Sequence, residues 1–132
     1  MAALRIGVLT ASDTRSEAED TAGRALIDLC EARGWEVVQA ADGPAGLALA
    51  AETGPALILL DIQLPGMDGY EVARRLRDNP KLATVPLLAV TSYAMPGDRE
   101  RCLASGCNGY IEKPIDPEIF ARQVEQFLEA QP

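Results

Sequence analysis

The chain has no histidine, and its three cysteines, Cys30, Cys102 and Cys107, form no C-x-x-C pair. Neither a zinc site nor a disulfide framework is supported by that set, so the sequence predicts three buried, inert thiols. Basic residues are also scarce: Lys and Arg number 12 against 20 Asp and Glu, a formal net charge of -8 at pH 7. Nucleic acids and anionic membranes reward clusters of Lys and Arg, so this balance argues against both and favours a protein partner or a cation. No apolar run approaches the roughly 20 residues that span a bilayer. Met1-Ala2-Ala3-Leu4-Arg5 runs straight into a strand pattern without the charged n-region and long apolar stretch of a signal peptide. The expected location is the cytoplasm.

What is present is the material of a globular core. Hydrophobic residues make up 48% and charged residues 24% of 132, which excludes disorder as the dominant state. A chain of this length is expected to form one domain spanning residues 1–132 and to bury roughly two thirds of its unfolded surface. Short apolar runs alternate with helix-period segments from end to end, the signature of β-α-β crossovers and a parallel sheet covered on both faces. The runs predict strands at Leu4–Thr10, Trp35–Ala40, Ala56–Asp61, Val85–Thr91 and Cys107–Ile111. Between them the periodicity predicts helices at Thr21–Arg33, Pro44–Glu52, Gly69–Asp78, Gly97–Ser105 and Pro117–Ala130, the last with an apolar stripe of Phe120, Val124, Phe127 and Leu128. Gly34 reads as a C′ glycine, Asn79-Pro80 as a helix stop, and Asp116-Pro117 as a cap and helix opening. The one connection of unusual length is the polar stretch Ala11–Asp20.

Three polar residues end apolar runs. Asp61 closes Ala56-Leu57-Ile58-Leu59-Leu60, Thr91 closes the fourth strand, and Lys113-Pro114 follows the fifth. In an open parallel sheet ligands bind beyond the carboxyl ends of the strands, where strand order reverses. If the order is 2-1-3-4-5, the third, fourth and fifth strands are neighbours, and Asp61, Thr91 and Lys113 meet at one edge. A carboxylate there can attack phosphorus and form an acyl phosphate. A hydroxyl and an ammonium can hold the phosphoryl oxygens as charge develops. A lone strand-end aspartate is more often a helix cap or a turn residue, so the weight rests on the three together. Gly66 and Gly69 allow a tight loop beside Asp61.

From about Gly34 to Leu128 the chain resembles the receiver domains of bacterial two-component response regulators. The resemblance is carried by Ile58-Leu59-Leu60-Asp61, Leu64-Pro65-Gly66-Met67-Asp68-Gly69, Pro86-Leu87-Leu88-Ala89-Val90-Thr91-Ser92 and Gly109-Tyr110-Ile111-Glu112-Lys113-Pro114. The spacing also fits: thirty residues separate Asp61 from Thr91 and fifty-two separate it from Lys113. The resemblance implies a flavodoxin-like α/β sandwich, a five-stranded parallel sheet of order 2-1-3-4-5. It implies Asp61 as phosphoacceptor, Thr91 as switch hydroxyl, Lys113 as the phosphoryl-binding lysine, and Tyr110 as an aromatic that turns inward on activation. An aromatic on the fifth strand is core packing at least as often, and that alternative stays open for Tyr110. The family also implies Mg²⁺ held by Asp61 and the Gln63 carbonyl. A histidine kinase or phosphotransfer protein would be the partner, for a monomeric signalling domain rather than an enzyme.

Receivers carry two adjacent acids at the end of the first strand for Mg²⁺; here that strand ends in Thr10-Ala11, and the nearest carboxylate is Asp13. A charge pair is worth roughly 4 kcal/mol at about 4 Å in an effective dielectric of about 20. Losing such ligands is therefore expected to weaken or abolish metal binding, with Asp13 a partial substitute. Arg5-Ile6-Gly7-Val8-Leu9-Thr10-Ala11-Ser12-Asp13-Thr14-Arg15-Ser16 and Glu19-Asp20-Thr21-Ala22-Gly23-Arg24-Ala25-Leu26 resemble instead the opening of the molybdenum-cofactor biosynthesis proteins that adenylylate molybdopterin. The glycine-rich loop and catalytic aspartates of that family have no counterpart downstream, so molybdopterin or nucleotide chemistry is not expected. The two resemblances together suggest a recombined or engineered chimera, with residues 1–33 exchanged onto a receiver body of residues 34–132. The alternative function is then a scaffold without phosphotransfer. Binding of a protein through the fourth helix, fifth strand and fifth helix, independent of phosphorylation, is a further alternative.

Overall fold

The strand Leu57–Asp61 (β3) is hydrogen-bonded on both edges and buried at every residue. The computed structural model describes residues 5–9, 27–40, 43–62, 69–91, 97–112 and 116–129. Around β3 stand Arg5–Leu9 (β1), Glu36–Ala40 (β2), Leu87–Thr91 (β4) and Gly109–Glu112 (β5), every pair parallel, in the order β2-β1-β3-β4-β5. The helices are 27–32 (α1), Gly43–Thr53 (α2), Gly69–Asp78 (α3), Asp98–Ala104 (α4) and Pro117–Glu129 (α5). This is the α/β architecture expected, including the strand order.

The apolar runs carry no polar alternation because both faces of the sheet are covered. Side chains on a strand point alternately to opposite faces. Leu57 and Leu59 of β3, with Leu88 and Val90 of β4, pack against Cys30 of α1 and Phe120 and Val124 of α5. Ile58 and Leu60, with Leu87 and Ala89, pack against Ala50 of α2, Val72, Ala73 and Leu76 of α3, and Cys102 of α4. Each fully buried Leu or Val contributes about 1.5–3 kcal/mol of transfer free energy. The α5 stripe read from the sequence lies on the first of these cores, with Phe127 and Leu128 partly buried against it.

Most element ends shift by a residue or two, and two shifts have a specific cause. The fifth strand starts at Gly109 rather than Cys107, because Cys107 is still part of the α4 terminus. Its N–H donates to Cys102 O at 3.0 Å while Gly106 N–H donates to Leu103 O at 3.1 Å, and Gly106 sits at φ 111°. That is a Schellman ending, which requires a left-handed residue at Gly106. The Asn79-Pro80 stop opens a separate 3₁₀ turn, Pro80–Leu82, which the sequence reading did not foresee; Asn79 Oδ1 caps it by accepting from Lys81 N at 3.0 Å. The other punctuation holds: Gly34 has φ 80°, and Asp116 Oδ1 accepts from Glu118 N at 3.0 Å at the start of α5.

The end of the sheet opposite Asp61 is tied by one side chain. Arg77, near the end of α3, donates through Nε to Gly106 O at 2.8 Å and through Nη1 to Leu82 O at 2.9 Å and Val85 O at 2.6 Å. Its Nη2 donates to Asn108 Oδ1 at 2.8 Å, and the same oxygen accepts from Leu87 N at 2.8 Å. Burial pulls the guanidinium below its usual range. Hydrogen bonds to a charged group contribute about 1.5–3 kcal/mol each, so Arg77 fixes where β4 and β5 begin, and through the register where they end.

Two outcomes are expected. Gly7 of β1 lies beside a small gap, and a Cβ there would meet Ile58 Cγ1 and Pro55 Cγ at 3.5 Å, ordinary contact distances. Gly7→Ala should therefore stabilise the fold by about 0.4–1 kcal/mol, read as a higher urea midpoint. Cys30 and Cys107 are buried free thiols, and desolvation pushes each from 9.0 up to about 12. Below about pH 9 both states keep these protons; above it the unfolded chain releases protons that the folded chain holds. Urea midpoints should thus fall from about pH 9 toward 12, and less steeply in Cys30→Ala.

Candidate functional site

The carboxyl edge of the sheet collects the polar residues that end the apolar runs. Asp61 and Thr91 are buried, at 3% and 5% exposure. Asp61 pairs in register with Val90, and Ile62 N–H donates to Val90 O at 3.1 Å, so the ends of β3 and β4 run side by side through Asp61 and Thr91. Neighbouring strands lie about 4.8 Å apart. Thr91 in turn pairs with Glu112 of β5. Lys113 is the next residue in sequence; it, Gln63 and Asp13 lie outside the described residues, as do Gly66 and the Ala11–Asp20 stretch.

Tyr110 pairs with Ala89, two residues before Thr91, and packs partly buried against the core that contains Ala89. Thr91 continues the row of Leu87 and Ala89, so Thr91 and Tyr110 belong to the same face of adjacent strands. The packing and switch readings of Tyr110 therefore share one location.

Asp61 leads into a loop whose two ends touch. Gly69 N–H donates to Ile62 O at 3.1 Å, and a Cβ on Gly69 would stand 2.5 Å from Ile62 Cα and 2.8 Å from Ile62 O. Only a residue without a side chain lets the two backbones approach this closely. Gly69 opens α3, and on that helix Glu71 accepts from Arg74 Nη2 at 2.8 Å and Arg75 Nε at 3.1 Å. Those hydrogen bonds hold the Glu71 carboxyl below the usual range. Tyr70, buried beside Gly69, lies under Arg101 of α4, whose Cζ is 4.2 Å from the ring centroid. Sequence reasoning missed this last contact, as it did the Arg77 bonds; the only signal was an aromatic directly after the loop glycine.

Mg²⁺ demands near-octahedral oxygen coordination. Among the described residues no group of three or more His, Cys, Asp or Glu side chains gathers to hold a metal ion. Asp61 is the one carboxylate they supply at the end of β3. In the sequence Thr10 and Ala11 follow β1, and neither carries a carboxylate; both lie outside the described residues. No helix among them is long and apolar enough to cross a membrane.

The response regulator receiver domain family matches residues 6–125. The polar-differentiation response regulator DivK of Brucella anthropi is 45% identical over 101 residues, 76% of this chain and 82% of that protein. The receiver domain of a sensor histidine kinase from Pseudomonas aeruginosa, crystallised with a magnesium ion in its active-site cleft, superposes with a TM-score of 0.84 at 28% identity. It covers 98% of this chain and 100% of that one. A CheY-like receiver domain protein from Methanospirillum hungatei gives 0.82 at 26% identity, over 97% and 95%. The family match starts inside the first quarter that the sequence reading set apart. These likenesses lend no support to a molybdenum-cofactor origin for that segment, or to a chimera.

The close approach at Gly69 has a measurable consequence. Gly69→Ala must push the Ile62 backbone away, at a cost of about 1–3 kcal/mol. A lower urea midpoint, with amide shift changes concentrated at Asp61, Ile62 and Tyr70, is the expected result.

Proposed function

Because the chain belongs to the response regulator receiver domain family, we propose that it accepts a phosphoryl group on Asp61 within two-component signalling. Proteins of this family are signalling proteins rather than classical enzymes, and their receiver domains work with histidine kinases or phosphotransfer proteins. The observation that carries the reading is a buried carboxylate that ends β3 and a buried hydroxyl that ends the adjacent strand β4. A carboxylate in that position is costly to bury without a use. An Asp61 oxygen attacks phosphorus, the P–N bond to the donor imidazole breaks, and an acyl phosphate forms as the imidazole takes up a proton. Thr91 donates to one phosphoryl oxygen and Lys113 neutralises another. Tyr110, on the Thr91 face, follows the hydroxyl as the switch. All of this belongs to one domain spanning residues 1–132.

The metal requirement is where this chain departs. Asp61, the Gln63 carbonyl and Asp13 are the residues proposed to meet Mg²⁺, and Thr10-Ala11 stands where the family's acidic pair would be. Phosphorylation is therefore proposed to be impaired and Mg²⁺ binding weak. A scaffold without phosphotransfer is the limiting case.

Acetyl phosphate is expected to add one phosphoryl mass to the protein at high Mg²⁺ and none to Asp61→Asn. Restoring an acid with Ala11→Asp should tighten Mg²⁺ binding by about tenfold or more, followed by the amide shifts of Ile62 and Gly69, and should speed the labelling. Labelling that persists in Asp61→Asn would refute the acceptor. Parent affinity equal to that of Ala11→Asp would refute the metal argument.

A further inference from the structure

The Ile62–Gly69 closure and the Tyr70–Arg101 contact are consecutive, and together they join the phosphoacceptor loop to α4. The loop leaving Asp61 returns to Gly69, whose backbone is pinned to that of Ile62 by the 3.1 Å hydrogen bond and by van der Waals contact. The next residue, Tyr70, is 6% exposed and packs in the core with Val72, Ala73 and Cys102. Its ring lies 4.2 Å from Arg101 Cζ, and its Oη receives the Cys102 thiol at 4.0 Å. Both partners belong to α4, a helix of seven residues. A helix that short depends on such tertiary contacts to stay formed.

We propose that Tyr70 is a latch through which the loop beside Asp61 and the helix α4 move together. The path runs from Ile62 to Gly69 along backbone, from Gly69 to Tyr70 along the chain, and from Tyr70 to Arg101 and Cys102 through side chains. None of its residues lies on β4 or β5, although Tyr70 and Cys102 share the core against which Tyr110 packs. Displacing Ile62 carries Gly69 with it, because the two backbones have no space to slide. That turns the Tyr70 ring against the guanidinium above it. The converse also holds: weakening the hold of α4 on Tyr70 loosens the Ile62–Gly69 closure. Tyr70 and Arg101 are thus positioning residues for the loop, and the regulatory meaning of the latch rests on Asp61 being the phosphoacceptor.

Two comparisons on the full chain test it, using Arg101→Met, which keeps the stem and removes the cation, and Arg101→Lys, which keeps a cation. Arg101 is exposed and belongs to neither buried core, so both substitutions leave the cores intact. In the unphosphorylated protein Arg101→Met should speed hydrogen exchange of the Gly69 amide by about threefold or more, the scale of an exposed cation–π contact. Phe120 and Val124 amides should stay unchanged, and Arg101→Lys should restore much of the protection. Unchanged Gly69 exchange in Arg101→Met would overturn the latch. After acetyl phosphate, at equal phosphoryl mass, the amide shifts of residues 101–105 should be at least halved in Arg101→Met; full-size shifts would overturn it as well. If the parent gains no phosphoryl mass, the acceptor reading fails instead, and the exchange comparison alone decides the latch.

Discussion

Burial of β3 on both faces and along both edges is the constraint from which the rest of the structure follows. A strand with β1 on one side and β4 on the other cannot vary its register without exchanging the side chains of two cores. Leu57 and Leu59 are committed to the α1–α5 layer, and Ile58 and Leu60 to the layer of α2, α3 and α4. The carboxylate of Asp61 is therefore held, buried, at the carboxyl end of the sheet. The apolar residues before it fix where the backbone delivers it.

The same logic explains why distant residues serve the site. Arg77 binds carbonyls of the 3₁₀ turn, the approach to β4 and the α4–β5 connection, all at the opposite end of the sheet. Because β4 and β5 are short and in fixed register, anchoring their first residues also locates Thr91 and Glu112 at their last. Among the described residues no buried side-chain nitrogen or oxygen is left without a hydrogen-bond partner. The polar groups at both ends of the sheet are therefore compatible with a dry core.

The carboxyl edge is built on fixed strands. Asp61 and Thr91 sit on strands hydrogen-bonded to neighbours on both sides, where local opening is costly. Among the described residues Ile62 and Gly69 meet through a backbone hydrogen bond, and α4 is held by its packing and the Tyr70 contacts. For the phosphoacceptor proposed above, chemistry would sit on the strands and response on α4. The nucleophile has to be held, and the surface that reports its state has to move.

Much of this was legible in the residues themselves. Unbroken apolar runs identified strands covered on both faces, and polar residues closing those runs identified Asp61 and Thr91, because a buried strand tolerates a carboxylate only at its tip. The strand order came with the family resemblance and not with the pattern, since alternating β and α segments permit more than one winding. The Tyr70–Arg101 contact, the reach of Arg77 across 29 residues to Gly106, and the pinch at Gly69 were decided by tertiary structure alone. Periodicity reports which face a residue presents; it carries no information about which distant residue will stand opposite, and that is fixed only when the register and the two helix layers are in place.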